Sequence, residues 1–325
     1  MEREMEIRSV AIVGAGAMGA AYASLFAEAS GFSTSFVADG KRYQKLRRQQ
    51  LVVNGRSCTI PVQRPEEIEG GADLLIVALK HHHLRQALPL IEAAVGPHTI
   101  ILSVMNGLES EEIIGEVCGI DKMVWAIAVG IDAVREGHRF SYARSGKIIF
   151  GIKDPAVDRG RVARLARTLE SASISYEIPE DIERSLWWKF MVNVGINQAS
   201  ALLRAPYALF QCSAEARELM LQLMREVVAL AKKSGVDLSE ADLREWLAVL
   251  DSLSPEGKTS MLQDIEAQRK TEVKIFAGAV VNLAKKHALP APANALALSA
   301  LRAMEEWYGK HRPVKEAGDM EKCLS

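Results

Sequence analysis

Apolar runs, each closed by a glycine, a polar residue or a proline, recur through the first half of the chain. They are Arg8-Ser-Val-Ala-Ile-Val13, Thr34-Ser-Phe-Val-Ala38, Ala72-Asp-Leu-Leu-Ile-Val-Ala-Leu79, His98-Thr-Ile-Ile-Leu-Ser-Val104, Met123-Val-Trp-Ala-Ile-Ala-Val-Gly130 and Lys147-Ile-Ile-Phe-Gly-Ile152. Their length and β-branched content predict strands, and their near-continuous apolarity is that of a parallel sheet covered on both faces. Residues 20–29 read as a helix between the first two strands, and residues 51–62 as a β-excursion after the second. Strand and helix in alternation predict a doubly wound, mostly parallel sheet. From about Pro155 the period changes. Residues 161–172 are helical, 174–178 form a short strand, and everything after Ile182 reads as helix, with segments at 214–233, 239–250, 261–286 and 294–307. Leu289-Pro-Ala-Pro292 separates the last two. The expected architecture is α/β: a Rossmann-type doubly wound domain over residues 1–180, then an all-helical domain over 181–325. The cleft between them is the expected active site.

Composition agrees with a two-domain globular protein. The chain has 325 residues, 49% of them hydrophobic and 25% charged. A net charge of −1 supplies no global attraction to nucleic acid or to an anionic membrane, so neither is an expected partner. No apolar run reaches the length of a bilayer span, and the acidic Met1-Glu-Arg-Glu-Met-Glu6 is not the start of a signal peptide. Cys58, Cys118, Cys212 and Cys323 are scattered, without metal or redox spacing. Reduced thiols in the cytoplasm are the expectation.

The first strand runs directly into Gly14-Ala15-Gly16-Ala17-Met18-Gly19, and a helical segment follows. Between a strand and a helix this pattern binds a dinucleotide. Gly14 permits the tight turn, Gly16 admits the pyrophosphate to the backbone, and Gly19 allows close packing of helix on strand. The helix N-terminus attracts the phosphates. Asp39 ends the second strand, 20 residues beyond Gly19, where a carboxylate accepts hydrogen bonds from the ribose diol of NAD. Lys41 and Arg42 follow and suit the 2′-phosphate of NADP instead, so both cofactors remain open.

Lys80 and Asn106 each stand at the carboxyl end of a predicted strand, the edge where open α/β sheets bind ligands. His81, His82 and His83 are consecutive and therefore point in different directions, which disfavours joint capture of one ion; no metal is expected. Further on, Ser185-Leu-Trp-Trp-Lys-Phe-Met-Val-Asn-Val-Gly-Ile-Asn-Gln198 places Lys189, Asn193 and Asn197 at i, i+4 and i+8. On a straight helix they would form one polar stripe in an apolar surround, facing a cleft.

The glycine turn, Leu79-Lys80, Asn106-Gly107, Trp188-Lys189 through Asn197, and Thr259-Ser260-Met-Leu-Gln-Asp-Ile265 leading to Thr271-Glu272 together resemble the ketopantoate reductases (2-dehydropantoate 2-reductases) over nearly the whole chain. These belong with the 6-phosphogluconate-dehydrogenase-like two-domain enzymes. The resemblance implies NAD(P)H-dependent reduction of ketopantoate to (R)-pantoate in pantothenate biosynthesis. It implies Lys189 as the general acid that protonates the carbonyl oxygen, and Glu272 as the group orienting Lys189 or the cofactor. Asn193, Asn197, Ser260 and Asn106 are implied as substrate ligands. Gly14, Ala15, Gly16, Ala17, Met18, Gly19, Asp39, Lys80, Asn106, Ala133 and Glu272 are implied around the cofactor. NADP is the family's cofactor, with NAD admitted here by Asp39. Three positions depart from the pattern. Asp39 stands where the family has an arginine, and Tyr207 and Gly257 where it has asparagines. Rival readings are a reductase of another 2-keto acid and a non-catalytic dinucleotide sensor. A homodimer is the expected assembly.

Overall fold

The computed structural model describes residues 6–131, 134–136, 139–142, 145–153 and 159–310. The chain opens with β1 (Ser9–Val13), α1 (Ala17–Glu28), β2 (Ser33–Val37) and α2 (Gly40–Arg48). Next come β3 (Leu51–Val53), β4 (Arg56–Cys58), β5 (Val62–Gln63), β6 (Ala72–Val77), α3 (His81–Ala93), β7 (Val95–Ser103) and α4 (Ser110–Cys118). Then β8 (Met123–Ile131), β9 (Val134–Glu136), β10 (Arg139–Ser141) and β11 (Ser145–Gly151) lead to α5 (Arg159–Ser171) and β12 (Tyr176–Glu177). The remainder is helical: α6 (Ile182–Val192), a π-helical turn Asn193–Asn197, α7 (Gln198–Leu203), α8 (Tyr207–Cys212), α9 (Ala214–Lys233), α10 (Glu240–Ser252), α11 (Ser260–Glu266), α12 (Ala277–His287) and α13 (Pro292–Lys310). Two compact units are divided between Lys189 and Phe190, inside α6.

Among the described residues of the first unit, eight strands form one sheet in the order β12-β11-β8-β7-β6-β1-β2-β5. Every pair is parallel except β8 with β11. The chain builds outward from β1 through β2, then returns to β6 and builds the other way, so the direction reverses between β1 and β6. Alternation along β1 shows why the sheet is covered twice. Val10 and Ile12 join Tyr22 and Phe26 of α1 and Leu165 and Leu169 of α5 in one core. Ala11 and Val13 join Leu84 and Ile91 of α3 and Ile113 and Ile114 of α4 in the other.

A second sheet, β4-β3-β10-β9, is only partly expected from the sequence. The hairpin β3–β4 is the expected excursion, turned by Asn54 and Gly55 at φ 49° and 77°, the positive angles that this turn demands. Strands β9 and β10 carry no comparable signal. They exist because β10 pairs in parallel with the distant β3, and the Asn54 N–H donates to the Phe140 carbonyl at 2.9 Å.

Two helical expectations need correction. Residues 261–286 are not one helix: α11 stops at Glu266 and α12 begins at Ala277. Gln268 takes a left-handed φ of 49°, and the Thr271 N–H and hydroxyl both donate to the Glu305 carboxylate, holding an irregular segment around Glu272. The straight stripe through Lys189, Asn193 and Asn197 is also interrupted. The π turn adds a residue per turn and breaks the 3.6-residue register.

Among the described residues no helix is long and apolar enough to cross a membrane. Cys58, Cys118 and Cys212 are free thiols, and Cys323 lies outside the described residues.

Candidate functional site

The glycine turn connects β1 to α1 at the reversal point of the sheet. Gly14 adopts φ 113°, and a Cβ there would meet the Ala78 carbonyl oxygen at 2.4 Å. At Gly19 a Cβ would come within 1.8 Å of the Gly14 carbonyl oxygen. Both glycines are therefore demanded by the turn itself. Gly16 differs: the nearest atom to its missing Cβ is 4.0 Å away, so the space beside it is open. It also caps α1 without a side-chain hydrogen bond, and the first turn carries no acid. Amide N–H groups at the start of a helix suit a ligand's anionic oxygens, and Ala15, Ala17 and Met18 bring no charge against it. The residues present fit a dinucleotide pyrophosphate.

Lys80 follows β6 and Asn106 follows β7, both partly buried. With β8 next in order, the strand ends from β1 to β8 set these groups along a front of about 14 Å, three strand spacings. His81 lies 3.5 Å from the Glu109 carboxylate, and the His82 and His83 ring centres lie 4.1 Å apart, with the rings tilted at 56° to each other. Ala133 lies outside the described residues.

Lys189 reaches this front from α6. Ile182 and Leu186 pack on Trp125 and Ile127 of β8, and Lys189 continues their i, i+4, i+7 face. Its Nζ donates to the Ala128 carbonyl at 2.6 Å. That carbonyl is available because β7 pairs with β8 only through Ile101–Met123 and Leu102–Val124.

Glu111, on the first turn of α4, is a residue that sequence reasoning misses. It is 1% exposed, accepts a hydrogen bond from the Ser110 hydroxyl at 2.7 Å, and takes the Ala126 N–H of β8 as well. Burial pushes its carboxyl up to about 7, against the opposing pull of those hydrogen bonds and of the Lys153 ammonium. A folded-state value above the ordinary 4.5 means that holding the charge costs stability above about pH 7, a cost that fades as the pH falls toward 4.5. Glu111→Gln is therefore expected to be more stable than the parent at pH 8, by at most roughly 3 kcal/mol, and to lose that advantage near pH 5. Urea melts at both pH values test this, and an advantage that grows on acidification sinks it.

At the end of β2 the exposed Asp39 carboxylate does not cap α2. It borders a groove of about 810 Å³ lined also by Lys41, Lys45, Arg48, Arg64 and Glu66. Arg42 leans from α2 to the Ala15 carbonyl, Nη2 to O 3.4 Å. Two carboxylates, Asp39 and Glu66, thus stand among several cations beside the glycine turn, an arrangement able to meet either a ribose diol or a phosphate.

In the second unit, Asn193 and Asn197 remain in contact across the π turn, as their four-residue spacing predicts, with Asn197 Nδ2 donating to Asn193 Oδ1 at 3.4 Å. Asn193 Nδ2 is buried with no hydrogen-bond partner among the described residues. The Ser200 and Thr259 hydroxyls meet at 2.6 Å, and Thr259 caps α11, so Ser260 is fixed beside the helix carrying Asn197. Glu272 is 8% exposed, in the irregular segment anchored by Thr271 and Glu305. The two unexpected residues, Tyr207 and Gly257, touch each other. The Tyr207 N–H donates to the Gly257 carbonyl at 3.0 Å, and a Cβ at Gly257 would lie 2.7 Å from the Tyr207 ring.

A doubly wound sheet with a glycine turn at its switch point, followed by a helical unit, defines the class: a two-unit protein of the dinucleotide-binding type. The chain belongs to the ketopantoate reductase family. Residues 10–155 match the family's model for ketopantoate reductase PanE/ApbA and residues 181–305 that for its C-terminal part. The 2-dehydropantoate 2-reductase of Archaeoglobus fulgidus is 27% identical over 303 residues, covering 93% of this chain and 99% of the relative. The crystal structure of 2-dehydropantoate 2-reductase from Geobacter metallireducens, 28% identical, superposes with a TM-score of 0.80 over 91% of this chain and 99% of that one. D-mandelate dehydrogenase, solved with NADH and anilino(oxo)acetate, has the same fold at 22% identity, with a TM-score of 0.82 over 93% and 99% of the two chains.

Proposed function

We propose that this protein reduces 2-dehydropantoate to (R)-pantoate, a step of pantothenate synthesis, with Lys189 as proton donor. The observation that carries the reading is the Lys189 ammonium, set on the open edge of β8 by its bond to the Ala128 carbonyl. When bound, NAD(P)H supplies the hydride. Lys189 Nζ would give a proton to the carbonyl oxygen of the 2-keto acid as its carbon is reduced, leaving an alcohol and a neutral amine that solvent reprotonates. Gly14 to Gly19, Asp39, Lys80 and Asn106 hold the dinucleotide in this reading. Asn193 offers its unmatched Nδ2–H to substrate, Asn197 and Ser260 hold hydroxyl and carboxylate oxygens, and Glu272 orients Lys189 or the cofactor. A cytoplasmic homodimer belongs to the same proposal, and sedimentation velocity tests the stoichiometry.

NADP is the cofactor proposed, supported by the cationic groove beside Asp39, while Asp39 itself keeps NAD in play. Asp39→Arg is expected to shift the ratio of kcat/KM toward NADPH by about tenfold or more, because a guanidinium bonds the 2′-phosphate where a carboxylate repels it. An unchanged ratio dismisses Asp39 as the determinant.

One observation favours a second reading, reduction of a different 2-keto acid. The phenol ring of Tyr207 occupies the space that a side chain at position 257 would need, so two asparagines of the family pattern are lost together at one place. Oxidation of NADPH and NADH with ketopantoate and a panel of 2-keto acids separates the two. Rapid turnover of ketopantoate upholds the first reading; turnover of another keto acid alone upholds the second. Tight dinucleotide binding without turnover of any would point to a sensor.

A further inference from the structure

Glu111 has no part in the chemistry above, yet a fully buried carboxylate is expensive to keep unless something requires it. We infer that Glu111 is a positioning residue for Lys189, acting through the Ala126–Ala128 stretch of β8; the inference rests on the reading of Lys189 as proton donor. Ala126 and Ala128 are two residues apart on one strand, about 7 Å, and direct their backbone polar groups to the same edge. The carboxylate holds the Ala126 N–H, and the Lys189 ammonium holds the Ala128 carbonyl at 2.6 Å. An anion and a cation thus pin one short length of strand at its two ends.

The same carboxylate also reaches the loop that carries Asn106. Ser110 Oγ, which donates to Glu111, lies 2.8 Å from Ser103 Oγ, and the Met105 N–H donates to Ser103 Oγ at 3.4 Å. The groups facing Glu111 are therefore Ser110 of its own helix, Ser103 of β7 through Ser110, the Ala126 N–H of β8 and the Lys153 ammonium beyond β11. A single proton on Glu111 turns the carboxyl from acceptor to donor toward Ser110 and reverses the hydroxyl chain. The pinned strand and the Asn106 loop then answer together to one titration. A carboxyl that merely filled space would leave Lys189 unaffected.

The test follows the ¹³Cε resonance of Lys189, identified by its loss in Lys189→Arg, from about pH 5.5 to 8.5 in the full-length protein, with kcat measured over the same range. In the parent, the resonance is expected to show an inflection near 7 that is absent in Glu111→Gln. The kcat of that variant is expected to be about tenfold lower, because a slightly misplaced donor weakens the reacting geometry. Ser110→Ala keeps the carboxylate and removes one stabilising donor, so the inflection is expected at higher pH; it serves equally well should Glu111→Gln fail to fold. Identical Lys189 titrations in the parent and either folded variant overturn the inference. A coupled resonance in a protein that reduces no 2-keto acid leaves the positioning intact and refutes the functional reading instead.

Discussion

Lys189→Ala is expected to lower kcat for keto-acid reduction by about 10²–10⁴-fold, the usual contribution of a positioned general acid. The side chain is long and flexible, and its value for proton transfer depends on where Nζ is held. Ile182 and Leu186 anchor the helix to β8, and the Ala128 carbonyl accepts a hydrogen bond from Nζ. Removing the ammonium leaves the glycine turn untouched, so dinucleotide affinity measured by nicotinamide fluorescence is expected to stay within about twofold, and the loss to appear in kcat rather than KM. Lys189→Arg is not expected to rescue the rate, because a guanidinium holds its proton too firmly to donate it. A Lys189→Ala enzyme turning over at the parental rate removes the mechanism.

Gly19→Ala carries the second large expectation. Its added methyl would stand 1.8 Å from the Gly14 carbonyl oxygen and 3.0 Å from the carbonyl carbon. Both are backbone atoms of a turn already constrained by φ 113° at Gly14, so no side-chain rotation relieves the clash. The expected destabilisation is at the upper end of overpacking effects, about 3 kcal/mol or more. In a unit of this size that is a drop in Tm of roughly 6–12 °C. Gly16→Ala is the informative partner. Its methyl meets nothing closer than 4.0 Å, so Tm is expected to hold while dinucleotide affinity falls, since the methyl occupies the space a pyrophosphate would use. Unaltered binding by Gly16→Ala removes the turn from the cofactor site; an unaltered Tm for Gly19→Ala refutes the steric account.

How much of the site is legible in the sequence depends on the kind of signal each residue leaves. Lys80 and Asn106 stand out because a parallel strand is a run of apolar residues whose carboxyl end can be read directly, and β6 and β7 end just before them. Glu272 is assigned only through family resemblance. The apparent helix over 261–286 hides it, and the break depends on a bond from Thr271 to Glu305, 34 residues away. Glu111 leaves no trace, since an acid on the first turn of a helix ordinarily faces water. The contact of Tyr207 with Gly257 is likewise invisible in a chain where they stand fifty positions apart.

By itself, the sequence determined whatever depends on local pattern and backbone sterics. That covers the alternation of strand and helix in the first half, the glycine turn, the helical second half and the membership of a reductase family. These are properties of short segments, where period, propensity and the absence of a Cβ act within a few residues. Only the tertiary structure decided the second sheet, the seat of Lys189 on Ala128 and the burial of Glu111 beneath the same strand. Each of these depends on a partner brought close by folding, and hydrogen bonding and desolvation act on distance in space, which a linear pattern does not encode.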